Sequence, residues 1–347
     1  MTDTGIYHAL ALQVNCRAVN MMSVEDARVT MFKTIEHVDS LLTGSQGFLR
    51  SFAGAPATLV VLPEYFLTSF PMGDTIEGWQ AKGCIEMDGP EYDKLSAVAQ
   101  KHSIYLSGNA YELDPNFPQL YFQTSFIIAP NGDLILRYRR LVSMFGATPH
   151  DVLDAYLDIY GQEGLFPVVD TPIGRLACVA SEEILYPEIT RAHVLRGAEI
   201  ICHSSSEVGS LQDTPKNIAK RARAYENIAY VVSANSASIT DIPFPAESTN
   251  HHSQVVNYLG AILGEAGSGE SMCGYGEIDL GALRRTRRKP GMTNTLARQR
   301  LEVFSEVYGG QSVYPANSLE GVEKIERSHF QNTLQQTIDD LAQRGII

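Results

Sequence analysis

The chain has 347 residues, of which 44% are hydrophobic and 19% charged, the make-up of a folded globular protein with a sizeable core. Its 27 Lys and Arg against 40 Asp and Glu give a formal charge of −13, which repels phosphate backbones and excludes a general nucleic-acid binder. No apolar run approaches the ~20 residues of a membrane helix. The richest basic stretch, Arg284–Lys289, is short and runs into a Pro-Gly break, so it is read as a solvated helix end. Five irregularly spaced cysteines (Cys16, Cys84, Cys178, Cys202 and Cys273) lack metal-ligand spacing and suit free thiols in a reducing compartment. Met1–Leu12 lacks the basic start and long apolar core of a signal peptide, so a cytoplasmic protein without bound metal or cofactor is expected.

In chain order, Tyr7–Val14 reads as a strand. Val24–Leu42 reads as a helix, from the spacing of Val29, Phe32, Ile35, Val38 and Leu42. Thr58–Leu62 is a buried strand running into Pro63-Glu64. Glu91–His102 is helical, and Ile104–Leu106 is a strand ending at Ser107-Gly108-Asn109. Tyr121–Ala129 and Leu134–Tyr138 flank Pro130-Asn131-Gly132-Asp133, a strong hairpin signal. Phe166–Asp170 and Leu176–Ala180 flank a second turn at Pro172-Ile173-Gly174. A helix spans about Pro187 to Arg196, opened by its proline, and another about Lys216–Asn227. Ile200–His203, Tyr230–Ala234, Gln254–Asn257 and Ile262–Leu263 are further strands. Strands alternating with helices and joined by hairpins predict a layered α/β domain. One domain over residues 1–308 and a C-terminal extension over 309–347 account for the chain. Phe330, Leu334, Ile338 and Leu341 form an apolar stripe on a helix in that extension, which either docks back on the domain or covers a neighbouring subunit, and a place at a subunit interface is expected.

Three segments carry candidate chemistry. Glu64 follows an apolar strand directly, flanked by Pro63, Tyr65 and Phe66, where a desolvated carboxylate becomes a useful general base. A turn-capping carboxylate has the same local sequence. Arg139 and Arg140 end the hairpin strand, and adjacent strand residues point opposite ways, so one faces solvent while the other faces a pocket. Ser181 stands at a strand-to-helix corner, the place of a nucleophile elbow and equally of a turn serine.

Together the three segments resemble the nitrilase, or carbon–nitrogen hydrolase, superfamily. Further matches are Pro187-Glu188-Ile189-Thr190-Arg191 with Leu195-Arg196-Gly197-Ala198-Glu199, and Arg223-Ala224-Tyr225-Glu226-Asn227 with Asn235. His252-Ser253 through Gly260, Glu265-Ala266-Gly267 and Glu277-Ile278-Asp279-Leu280 complete the resemblance, which covers about residues 5–308. It implies an αββα sandwich that pairs into an αββααββα dimer, and an acyl-transfer site of Glu base, Lys and Cys nucleophile. On this sequence the base position falls on Glu64, the Lys position on Arg140 and the Cys position on Ser181. A second Glu is matched best by Asp154, with Glu163 as the alternative. Tyr65, Glu183, His203 and Ser205 fall where the family places substrate contacts, and Glu182 is expected at the same mouth. Arginine keeps the positive charge but cannot exchange a proton, and beside Glu64 it would weaken that carboxylate as an acceptor. Serine must lose its proton during attack and so needs a base.

The expected function is therefore a carbon–nitrogen hydrolase relative with a Glu-Arg-Ser site for a small polar amide- or nitrile-like molecule, assembled as a homodimer or larger homo-oligomer. Two other readings stand beside it: a pseudoenzyme binding a metabolite or partner through the retained pocket, and a non-hydrolytic acid-base enzyme using Glu64.

Overall fold

The computed structural model describes residues 5–209 and 212–347; the first four residues, part of the Met1–Leu12 segment considered above, lie outside the described residues. Two sheets face each other. The first contains β1 (Ile6–Ala11), β3 (Ala57–Val61), β4 (Cys84–Ile85), β5 (Tyr105–Leu113), β6 (Tyr121–Ile128), β7 (Leu134–Arg139) and β15 (Tyr275–Asp279), in the order β15-β1-β3-β5-β6-β7 with β4 on β5. The second contains β8 (Val169–Thr171), β9 (Gly174–Ala180), β10 (Ile200–Ser204), β11 (Tyr230–Ala234), β13 (Gln254–Val256) and β14 (Ile262–Glu265), in the order β14-β13-β11-β10-β9-β8. A two-stranded ribbon pairs β2 (Val14–Arg17) with β12 (Ser236–Thr240). The centre of each sheet is parallel, β1-β3-β5 in one and β9-β10-β11 in the other.

Period-two alternation sorts each inner strand between two cores. Ala9, Ala11, Leu59 and Val61 join Leu176, Cys178, Cys202 and Val232 in the cluster between the sheets. In the second sheet Cys202 and Val232 share the inner face with Cys178, while Ile201 and Val231 alternate outward toward the helices. Leu10, Leu12, Val60 and Leu62 join Met31, Ile35, Val38 and Leu95 on the outer face of the first sheet. There α1 (Val24–Phe52) and α3 (Pro90–His102) cover it, while α5 (Pro187–Leu195) and α6 (Pro215–Asn227) cover the second sheet. The layering is α-β-β-α, as expected. Cys178 and Cys202 sit side by side in the inner core, and Cys273 is exposed.

Several boundaries differ from the sequence reading. The first strand ends at Ala11 and the chain re-enters as β2. The first helix continues to Phe52, because Leu49 and Gln46 stay buried after the expected end. β5 runs through Gly108 and Asn109 instead of stopping there. Helices α2 (Ile76–Gly83), α4 (Leu153–Leu165), α7 (Leu280–Arg288) and α8 (Leu301–Gly309) occupy segments without a clear period, and α4 is broken at Gly161, φ 62°. The basic stretch at the end of α7 is tied down rather than loose: Arg284 chelates Glu199, and Arg287 donates to the carbonyls of Ile228 and Ala198.

The C-terminal extension returns to its own domain. Asn317 and Leu319 donate to the carbonyls of His150 and Asp151, and Ser318 Oγ donates to Asp151. Leu319 and Phe330 bury against Phe117, Phe122, Tyr156 and Leu165. Helix α9 (Arg327–Gln343) docks through Phe330, Thr333 and Thr337, a face rotated from the expected stripe, and Ile338 is left exposed.

Candidate functional site

The C-terminal ends of β3, β9 and β10 meet at one point. There Leu62 accepts from Ser204 Oγ at 2.8 Å, and the Glu64 N–H donates to the carbonyl of Ser205 at 3.2 Å, stitching the two sheets together. This fixes Glu64 at the floor of a cavity of about 560 Å³ whose walls include Tyr65, Gln123, Arg140, Ser181, Glu182, Ser206 and Lys216. The rim is completed by residues 143–148 and by Lys324 to Arg327 of the extension, with the Arg327 guanidinium 3.9 Å over the Phe145 ring.

Glu64 is 2% exposed. Its Oε1 accepts from Gln123 Nε2 at 2.7 Å and from Arg140 Nη1 at 3.2 Å. Gln123 in turn donates to Asn109 Oδ1 at 3.0 Å and accepts from Arg140 Nη1 at 2.5 Å. Arg140 Nε donates to the Val142 carbonyl at 2.6 Å, and Nη2 pairs with Glu182 Oε1. A guanidinium has five N–H donors; these contacts occupy all but one. Burial works against its charge, but Glu182 and Glu64 more than compensate and raise its pKa above the ordinary arginine value. Of the two adjacent arginines, Arg139 points away from the cavity, as the strand alternation requires, but into a buried ion pair with Asp114 at 2.6 Å rather than into solvent as expected.

Ser181 has φ 50°. A non-glycine residue in the left-handed region is strained, and here the strain turns the chain sharply from β9 into the turn Ser181–Leu185. Its Oγ is 3.2 Å from Lys216 Nζ. Lys216 occupies the first turn of α6, which Thr214 caps and Pro215 opens.

Other expected site residues lie elsewhere. Asp154 is exposed at the start of α4 and does not line the cavity; its backbone N–H is held by Asn317 Oδ1. The alternative, Glu163, is also on the surface, 3.4 Å from Arg196. Both fail because their segment is helical and turns these carboxylates outward. Glu183 is fully buried, but as a bracket rather than a substrate contact. Its carboxylate accepts from the N–H groups of Leu141, Val142 and Ala180 and from the Tyr138 hydroxyl, joining β7 to the elbow. Burial raises its pKa to about 7, with Arg140 and the backbone donors opposing. His203 lies behind the wall, between the Ser181 carbonyl and Ser233 Oγ, both at 2.8 Å. Burial, and then the charge of Lys220, push it well below the usual histidine range, so it is neutral. Ser205 turns away from the cavity and Ser206, its neighbour, lines it, an inversion set by alternation at the strand end. Tyr65, φ 35°, does line it, with its N–H on Asn109 Oδ1.

Sequence reasoning missed Gln123 and Lys216. The available signals were a glutamine inside the apolar run of β6 and a lysine in the first turn of a helix, where the positive end of the dipole disfavours it. Among the described residues no group of three or more His, Cys, Asp or Glu side chains is placed to hold a metal ion, and no helix is long and apolar enough to cross a membrane.

The family model for carbon–nitrogen hydrolases matches residues 17–288. The chain belongs to this family. The chain is 27% identical to the omega-amidase NIT2 of Homo sapiens over 248 residues, 72% of this chain and 86% of that protein. It is 30% identical to the nitrilase and fragile histidine triad fusion protein NitFhit of Caenorhabditis elegans, over 64% of this chain; the match spans about half (49%) of that relative. Its fold is similar to that of Saccharomyces cerevisiae Nit3 (TM-score 0.62, 20% identity, 85% of this chain and 97% of that one). It is likewise similar to a carbon–nitrogen hydrolase from Helicobacter pylori (TM-score 0.63, 22% identity, 88% and 98%).

Proposed function

We propose that this carbon–nitrogen hydrolase relative performs acyl transfer to water at Ser181, on a small polar amide- or nitrile-like molecule, with Ser181 and Arg140 standing where the family pattern has Cys and Lys. The observation that carries this is the strained elbow: Ser181, at φ 50°, is held at the cavity wall that also contains Glu64 and Arg140. Strain of this kind persists only where surrounding structure over-determines it, and it clusters at active sites. In this reading Arg140 serves mainly as a fixed positive charge, since most of its donors are held by Glu64, Gln123, Glu182 and Val142. The test is incubation of the full chain with a panel of small amides, esters and nitriles, followed by product analysis and intact mass. Carboxylic acid product, or an acyl adduct on Ser181, supports the proposal. Ligand-induced thermal stabilisation with neither product nor adduct moves the function to metabolite binding.

The same reading includes a homodimer. Leu195 of α5, Ile218 and Tyr225 of α6, and Val303 and Val307 of α8 are all exposed, giving apolar surface on the second-sheet side. A cytoplasmic location and the division at residue 308 belong to the same proposal. Sedimentation of the full chain and of a truncation after Tyr308 tests the assembly; two stable monomers would count against it.

A further inference from the structure

The acyl-transfer reading leaves one requirement open: serine has no thiolate, so a base must take its proton as it attacks. Three groups near the elbow could do so. Glu64 is already engaged, for its Oε1 holds both the Gln123 amide and the permanent Arg140 cation, an ion pair that protonation would neutralise. His203 has both ring nitrogens occupied, by the Ser181 carbonyl and Ser233 Oγ. Lys216 Nζ, by contrast, lies 3.2 Å from Ser181 Oγ and lines the same cavity.

We infer that Lys216 is the proton carrier for Ser181, making the site a serine–lysine pair; this rests on the proposed role of Ser181 as nucleophile. A second feature supports it. The first turn of α6 contains no acidic residue to balance this lysine and points the positive end of the helix dipole at it. Lys220, one turn further along, is buried and donates to Asn217 Oδ1 and the His252 carbonyl. Burial lowers it to about 8, with the charge of Lys216 adding to the push.

The step balances as follows. The neutral Lys216 amine takes the Oγ proton as Oγ bonds to the substrate carbonyl carbon, and the C=O electron pair moves onto oxygen. As that pair returns, the C–N bond breaks and the Lys216 ammonium delivers its proton to the departing amine. Water then attacks the Ser181 ester, giving a proton to Lys216. The ester C–O bond breaks, Ser181 Oγ recovers that proton, and the carboxylic acid leaves.

The experiment is labelling of the full-length protein with an alkyl fluorophosphonate, whose P–F bond a serine alkoxide displaces, read by intact mass and peptide mapping. The wild type should label at Ser181. Lys216→Met and Lys216→Arg should both label about 10²–10⁴-fold more slowly, the usual worth of a general base, and methylamine should partly restore Lys216→Ala. Thermal melts establish folding, and Lys216→Arg carries the comparison if the shorter variants unfold. Labelling of Lys216→Arg at the wild-type rate would overturn Lys216 as proton carrier while leaving Ser181 as nucleophile. Failure of the folded wild type to label at Ser181, with no adduct from the amide panel, would overturn both.

Discussion

The two walls of the cavity are built on opposite principles. On the first-sheet side, Glu64, Gln123, Asn109 and Arg140 form a closed network in which each side chain has two or more protein partners. On the second-sheet side, Ser181 and Lys216 are joined by a single hydrogen bond across a strained turn. The first wall is over-determined and holds charge in place; its groups have little freedom left for a substrate. The second is where the proposed mechanism places the movable proton. In a site that evolves new chemistry, a fixed electrostatic wall and a sparse reactive one are separable, and substitution effects should separate with them.

The largest expected effect is on the sparse wall. Ser181→Ala should abolish labelling and turnover, by at least ~10⁴-fold as for other nucleophile removals, with a thermal midpoint close to wild type because alanine keeps the Cβ and the backbone strain and loses one hydrogen bond to Lys216. Fluorophosphonate labelling and calorimetry measure both. Next comes the fixed wall. Arg140→Met leaves Glu64 and Glu182 without their cation, and breaking a buried pair costs about 3–5 kcal/mol, so denaturant unfolding should register it even without any substrate.

Glu183→Ala should cost about 3 kcal/mol, because three backbone N–H groups and the Tyr138 hydroxyl lose their acceptor. This variant also has a pH signature. The Glu183 pKa is about 7 in the fold against 4.5 as its ordinary value. Between those values the folded state holds a proton that the unfolded chain has released, so the stability from this group is full below about 4.5 and falls as pH rises through about 7. Denaturation curves across that window should show the decline in the wild type and lose this component in Glu183→Ala. The smallest effect belongs to a residue outside both walls: Asp154→Asn should change stability by less than about 0.5 kcal/mol and leave labelling unchanged. A large loss there would mean that the helical segment turns toward the cavity in solution.

The sequence by itself determined the layers and three corners of the site. Short-range period sets which face of a strand is buried, and a charged or small polar residue directly after an apolar strand must lie at the sheet's end, so Glu64, Arg140 and Ser181 could be placed from their neighbours in the chain. What the local pattern could not contain is which residues 35 or more positions apart share a hydrogen bond. Gln123 meets Glu64, and Lys216 meets Ser181, only because the hairpin β6-β7 and the start of α6 are brought to the same sheet edge by packing. Asp154 and Glu183 fail as site residues for the same reason. A carboxylate's role depends on what surrounds it in space: solvent for Asp154 and four converging donors for Glu183. The docking face of α9 was likewise decided by the aromatic cluster waiting for Phe330, not by the apolar stripe written along the helix.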